Sequence, residues 1–224
     1  MSWFKQTWNS SVGRKFAMAL SALFLIVFLL QHFLINFTSV ISPETFNELS
    51  HFMGTNPLVQ FALQPVLIFG VVFHFVMGFI LEAKNRSSRK IKYAMNKGAA
   101  NSSWLSRNMI YSGLVILLFI GLHFYDFWIP EINHKYIEIK PEDANRYYGE
   151  LVHKFEDPIR VGIYALSFVF LSLHLLHGFQ SAFQSSGVNH RKYTPAIQKL
   201  GKLYAVLIPA GYIFIAVYHY LTHQ

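Results

Sequence analysis

Five long apolar segments, separated by polar stretches, dominate the hydrophobicity pattern of this chain. They cover residues 16–37, 58–81, 109–129, 159–183 and 203–221. Each has about 20 residues, the length that a helix needs to cross the hydrocarbon core of a bilayer. Because the segments lack the period-two alternation of strands, the pattern predicts an all-α fold: a single domain, residues 1–224, forming an integral membrane bundle of five transmembrane helices.

The composition agrees with a membrane protein. Of the 224 residues, 53% are hydrophobic and only 13% are charged, whereas soluble proteins usually carry about a quarter charged residues. The net charge of +8 does not indicate nucleic-acid binding, because the basic residues form short strips beside the apolar segments. The chain has no cysteine, so it cannot ligate an iron–sulfur cluster or attach a c-type haem covalently.

Lysine and arginine concentrate in three alternate polar stretches: the N-terminal segment and the stretches that follow the second and fourth spans. The intervening stretch after the first span has Glu44 and Glu48 but no lysine or arginine. The positive-inside rule therefore predicts a cytoplasmic N-terminus and an external C-terminus. In the long polar stretch 130–158, the sequence Pro141-Glu142-Asp143 predicts the start of a short surface helix that ends at Phe155.

Each of the first four spans contains a candidate ligand histidine: His32, His74, His123 and His174. An imidazole in a lipid-embedded helix is costly unless something binds it. The alternating span directions place His32 and His123 toward the outer side and His74 and His174 toward the inner side. A haem with two axial histidines needs two of them at matched depth on different helices. The pattern predicts two haems b, with His32 and His123 on the distal (outer) iron and His74 and His174 on the proximal (inner) iron.

A repeated glycine supports the inner pair. His74 is followed by Gly78 and His174 by Gly178, each four residues further along its helix. Residues four apart share a helix face, so the missing side chain leaves room for a flat macrocycle beside the histidine.

Other interpretations of the histidines stay open. A single membrane histidine is more often a hydrogen-bonded packing residue than a ligand. His177 matches the depth of His74 better than His174 does, so it is either an alternative ligand or a hydrogen-bond partner of a haem or quinone. His219, in the fifth span, is expected to pack or to hydrogen-bond at the interface. Solvated side chains are expected for the remaining five: His51, His134, His153, His190 and His223.

The spans resemble the cytochrome b subunits of succinate dehydrogenase and fumarate reductase, in the single-chain, five-helix, di-haem b558 type. The resemblance covers nearly all of the chain. The segments that show it are FLIVFLLQHFLINF around His32, FHFVMGFILEAKN around His74, residues 104–123, and HLLHGFQSAFQSSG from His174. In that family the first and third spans ligate the distal haem and the second and fourth ligate the proximal haem, which is the pairing that topology gave.

The resemblance implies a subunit of an oxidoreductase in the bacterial inner membrane, with no dicarboxylate site of its own. Its partners would be a flavoprotein and an iron–sulfur protein on the cytoplasmic face, and a dimer of such complexes is possible. Electrons would pass from succinate through flavin, iron–sulfur clusters and the two haems to a quinone, usually menaquinone. The alternatives are a cytochrome b subunit of another respiratory enzyme, or a non-haem membrane anchor or transporter.

Haem propionates and a quinone need polar partners. Arg160 is the candidate near the distal haem, and Glu48 and His51 are candidates for a quinone site near the outer surface. For the cationic residues the alternative is a flank residue that snorkels to the interface. The inner-side candidates are Arg14, Lys15 and Trp104, together with Ser10, Ser11 and Arg107.

We predict that a reporter fused after Lys92 reports the cytoplasm and that one fused after Gln224 reports the exterior. Paired phosphatase and fluorescent-protein fusions at both positions measure this, since each reporter is active on one side only. The reverse pattern would overturn the layer assignment of the histidines and the haem pairing with it.

Overall fold

The computed structural model describes residues 10–87 and 104–223. Within these two stretches the chain forms seven helices and no strand. In chain order they are α1 (Ser11–Ile41), α2 (Pro43–Thr55), α3 (Val59–Ser87), α4 (residues 104–137), α5 (Arg146–Phe155), α6 (Pro158–Ser185) and α7 (Thr194–Thr222).

Five of these helices, α1, α3, α4, α6 and α7, are long and apolar enough to cross a membrane. This confirms the predicted fold class. The helices extend beyond the apolar segments because polar residues continue or cap them. Ser10 caps α1 by accepting a hydrogen bond from the Gly13 amide at 2.9 Å. At α6, the Asp157 side chain accepts from the Ile159 amide at 2.9 Å, and Pro158 occupies the first turn.

The third transmembrane helix, α4, is longer than the sequence predicted. The polar stretch was expected to begin at Pro130, but the helix continues to Ile137. Its outer part alternates between α and π geometry: π at Phe124–Trp128, α at Ile129–Ile132 and π again at Asn133–Ile137. Pro130 lies in the first turn of the intervening α segment, directly after the first π-helical turn.

Helix α2 occupies the polar stretch after the first span, which the sequence analysis treated as a short loop. Its start has a helix signature: Ser42 accepts from the Thr45 amide at 3.1 Å, Pro43 is in the first turn, and Glu44 adds a negative charge there. The second surface helix, α5, begins at Arg146 and not at Glu142 as predicted.

Asp143 explains why α5 starts late. Its carboxylate accepts from the Asn145 amide at 2.8 Å, and this local turn occupies the residues that were expected to open the helix. The buried Asn47 of α2 then accepts from the Tyr148 amide of α5 at 2.7 Å. The two surface helices therefore pack against each other at the same end of the bundle.

The four histidine-bearing helices form a closed bundle. Helix α1 contacts α3, α3 contacts α4, α4 contacts α6, and α6 contacts α1. Helix α7 carries none of the four histidines and packs outside this bundle, against α6 and α1. Two α7 hydroxyls attach it to carbonyls of α1, with Tyr204 donating to Ile26 at 2.6 Å and Tyr212 donating to Leu29 at 3.3 Å. The bundle interior therefore lies between the helices that supply the candidate ligands.

Candidate haem-binding sites

The two inner-side histidines meet across the bundle. His74 on α3 and His174 on α6 have ring centroids 6.3 Å apart, with their planes inclined by 69°. They come from helices that do not follow each other in the chain, so the packing of the bundle brings them together.

The two outer-side histidines form a second pair. His32 on α1 and His123 on α4 have ring centroids 5.8 Å apart, inclined by 82°. A phenylalanine four residues earlier stacks on each ring: Phe28 on His32 at 5.4 Å and Phe119 on His123 at 6.0 Å. The structure thus brings together both pairs that the topology predicted.

Both separations suit two imidazoles that bind one metal ion from opposite sides. A metal–imidazole nitrogen bond is about 2 Å long and the nitrogen lies about 1 Å from its ring centre, so the two centroids would be about 6 Å apart. Both observed separations, 5.8 and 6.3 Å, are close to this value.

A serine hydroxyl contacts the Nδ1 atom of each inner histidine. Ser21 of α1 lies 3.1 Å from Nδ1 of His74. Ser112 of α4 lies 3.2 Å from Nδ1 of His174. An imidazole held at Nδ1 leaves Nε2 available as a metal ligand, and metal-binding histidines usually have such a partner on the other nitrogen.

The outer histidines have a different environment. The Nδ1 atom of His123 is buried and has no hydrogen-bond partner among the described residues. The Asn36 amide lies 3.4 Å from Nδ1 of His32, but its shorter bond, 2.8 Å, is to the His32 backbone carbonyl. A buried imidazole nitrogen without a partner is costly, so His123 lacks the Nδ1 contact that stabilises each inner histidine.

The glycines beside the inner histidines leave space that only flexible side chains fill. A Cβ atom added at Gly78 would have the tip of Met18 as its neighbour at 3.7 Å, and one at Gly178 would have the tip of Met109 at 3.3 Å. Methionine is unbranched and adapts easily to a new neighbour. The space directly beside Gly78 and Gly178 is therefore bounded by flexible side-chain ends and not by backbone.

Among the predicted inner-side polar residues, Arg14 is the best placed. It precedes Ser21 by seven residues, two helical turns, so it lies on the same face of α1. Its Nε atom is buried and has no hydrogen-bond partner among the described residues. Lys15 and Trp104 are exposed, as are Ser11 and Arg107, whereas Ser10 caps α1.

The structure distinguishes His177 from His174. The His174 ring is the one that faces His74 and contacts a serine of α4. His177 lies three residues further along α6 and is half-buried.

The two quinone-site candidates differ in their surroundings. Glu48 is exposed on α2. The His51 ring packs edge-on against Tyr147 at 6.2 Å, and its Nδ1 atom is buried without a hydrogen-bond partner in the described part of the chain. Burial raises the pKa of Tyr147 to about 12, so this phenol stays protonated at neutral pH. A cavity of about 20 Å³ beside these two side chains has room for a water molecule.

A buried carboxylate near the outer pair was missed by the sequence analysis. Asp126 lies in the π-helical turn that follows His123, and its side chain is fully buried. Its carboxylate accepts a hydrogen bond from the Tyr164 hydroxyl at 2.8 Å and lies 3.2 Å from Arg160. Arg160, predicted as a partner of the distal haem, is therefore already paired with an acid of the same bundle.

His219 was expected to pack or to hydrogen-bond at the interface. Its ring is fully buried, and its Nε2 atom lies 2.9 Å from the hydroxyl of Ser39 on α1.

Comparison with known proteins gives one curated relative. The chain is 24% identical over 185 residues to the succinate dehydrogenase cytochrome b558 subunit of Bacillus subtilis (strain 168), and the match covers 81% of each chain. No protein-family model and no solved structure matches the chain. The chain is therefore a distant homologue of the succinate dehydrogenase cytochrome b558 subunit, which confirms the resemblance that its histidine-bearing spans indicated.

Proposed function

We propose that this protein is the membrane-anchor cytochrome b subunit of a succinate:quinone oxidoreductase in a bacterial inner membrane. It would hold two haems b between an iron–sulfur partner on the cytoplasmic side and a quinone. The observation that carries the proposal is the presence of two histidine pairs in one four-helix bundle, with ring centroids 5.8 and 6.3 Å apart. The name of the curated relative supports the same assignment.

The residues of each pair would act as axial ligands. His74 and His174 would hold the proximal haem, and His32 and His123 the distal one. Haem b, when bound, supplies a one-electron carrier whose potential depends on its axial ligands, their hydrogen bonds and its burial. The bundle would keep both centres away from water, because the four histidines lie within the apolar segments of helices that are long enough to cross a membrane.

The two ends of the bundle would have separate roles, one in binding the partner subunits and one in binding the quinone. The basic strip from Lys84 to Arg107 would face the iron–sulfur and flavoprotein subunits on the cytoplasmic side. Its residues 88–103 lie outside the described part of the chain. A quinone, menaquinone in our proposal, would be reduced at the outer end. Its reduction consumes protons, and His51 and Glu48 are the candidate groups that would relay them.

Co-purification followed by a reduction assay tests this function. We expect an affinity-tagged chain to carry a flavoprotein and an iron–sulfur protein with it, and we expect succinate to reduce b-type haem in the purified complex. Malonate, a competitive analogue of succinate, serves as the control. Haem that responds to dithionite but not to succinate would indicate a cytochrome b of another respiratory enzyme. A colourless folded protein would indicate a non-haem anchor or transporter.

We predict that His174, and not His177, ligates the proximal haem. Replacement of His174 by Ala should remove the proximal haem signal from the low-temperature reduced-minus-oxidised spectrum, because no apolar neighbour can supply an axial ligand. The distal signal, which depends on His32 and His123, should persist at least in part.

Replacement of His177 by Ala is the matched control, since it removes the same side chain one turn away on the same helix. Both haem signals should remain, although the potential or the reaction with quinone can change. Loss of the proximal signal in the His177 variant, with retention in the His174 variant, would show that α6 is rotated relative to this structure.

A further inference from the structure

Ser21 and Ser112 have the same local geometry on two different helices. On α1 the Ser21 hydroxyl donates to the carbonyl of Met18 at 2.8 Å. On α4 the Ser112 hydroxyl donates to the carbonyl of Met109 at 2.9 Å. In both cases the carbonyl belongs to the residue three positions earlier, and in both cases the same hydroxyl oxygen also contacts an inner histidine.

These bonds determine which nitrogen of each histidine carries the proton. A serine hydroxyl has a single hydrogen, and here it is directed to a backbone carbonyl. With its hydrogen directed there, the oxygen accepts at its second contact, and Nδ1 of His74 and of His174 donates to it. His174 also hydrogen-bonds the backbone of Met109, the residue whose carbonyl accepts from Ser112. In a neutral imidazole with its proton on Nδ1, the lone pair for a metal is on Nε2.

The spacing of serine and histidine is also repeated. Ser21 precedes His32 by 11 residues, and Ser112 precedes His123 by the same 11 residues. Eleven residues make three turns, so each serine and its outer histidine lie on one face of the helix, roughly 16 Å apart along the axis. Helices α1 and α4 thus each provide an outer histidine and a hydrogen-bond acceptor for an inner histidine on the next transmembrane helix, α3 and α6 respectively.

We propose that Ser21 and Ser112 are positioning residues of the proximal haem. They fix the tautomer and orientation of both axial histidines, and by accepting from Nδ1 they lower the reduction potential of this haem. The proposal rests on the proposed function, because it requires haem on His74 and His174. It adds a role for two residues that the sequence analysis did not identify.

The direction in which the serines shift the reduction potential follows from the electron density on the histidine ligand. A histidine whose Nδ1–H donates to an oxygen is a more electron-rich ligand, which stabilises ferric over ferrous iron. Removal of the acceptor should therefore raise the potential of the proximal haem. The distal haem should not respond, because its ligands have no serine acceptor in the described part of the chain.

The experiment is an optical redox titration of the purified holoprotein, with dithionite and ferricyanide as chemical titrants. In Ser21→Ala we expect the equilibrium constant for reduction of the proximal haem to increase several-fold. In Ser112→Ala we expect a smaller increase, because the Met109 backbone remains beside His174 as an acceptor. A tenfold change corresponds to about 59 mV for one electron. Ser→Thr at each position retains the hydroxyl and should restore a potential close to that of the wild type.

Ser39→Ala is the matched control. The Ser39 hydroxyl also donates to the carbonyl three residues earlier, that of Asn36 at 2.7 Å, and also contacts a histidine. That histidine is His219, which is not one of the four candidate ligands. The control removes the same type of bond in the same bundle, so both haem potentials should stay at their wild-type values.

Ser→Cys variants keep the test decisive if an alanine variant does not assemble. Sulfur is a weak acceptor, so each Cys variant should shift the proximal potential in the same direction as Ala but less. Proximal potentials in the Ala or Cys variants that equal those of the wild type would overturn the proposal, as would equal shifts of both haems. Because the titrants are chemical, a wild-type protein without haem refutes the proposed function, whereas haem without a shift refutes only the role of the serines.

Discussion

A polar imidazole inside a hydrocarbon-facing helix needs a partner, and this constraint organises the bundle. Each of the four candidate ligands, His32, His74, His123 and His174, would be unfavourable alone at that depth. The structure responds by pairing them across the bundle, at 5.8 Å for His32 and His123 and at 6.3 Å for His74 and His174. Helices α1, α3, α4 and α6 close around these pairs, while α7, without a paired histidine, packs outside and is attached through tyrosine hydroxyls.

The two pairs of histidines have different neighbours, and these neighbours affect the properties of a bound haem in a way that the ring distances do not show. The inner rings contact hydroxyls whose own hydrogens are directed to backbone carbonyls, which favours a proton on Nδ1 and leaves Nε2 for a ligand. The outer rings are stacked by phenylalanines, and the Nδ1 atom of His123 has no partner among the described residues. Two otherwise similar centres would therefore differ in electronic character because of the second layer of residues around them.

The number of helices and the pairing of the histidines were predictable from the sequence, because a bilayer restricts the structures that a chain can form inside it. The length of each apolar segment determines the number of helices, and the basic strips give an orientation, so the depth of each histidine follows. The serines could not be recognised in this way. A serine in a transmembrane helix usually bonds its own backbone, as Ser21 does with Met18, and its second contact depends on how neighbouring helices rotate.

Helix α2, the extension of α4 and the buried Asp126 were not predicted from the sequence. Helix α2 was missed although its Ser42-Pro43-Glu44 start is a readable signal, because the stretch was interpreted as a connection between spans. The extension of α4 past Pro130 depends on π-helical turns, which no local periodicity indicates. Asp126 lies in one of these turns, and its partners Tyr164 and Arg160 come from another helix, so only the tertiary structure shows that it is paired.

The central claim is that the four histidines hold two haems. The most direct measurement is the haem b content of the purified, folded protein, determined by pyridine haemochrome absorbance against quantitative amino-acid analysis. Our account predicts two haems b per polypeptide. A reproducible value of one haem, or of none, in a protein that retains its helical circular dichroism spectrum would contradict it.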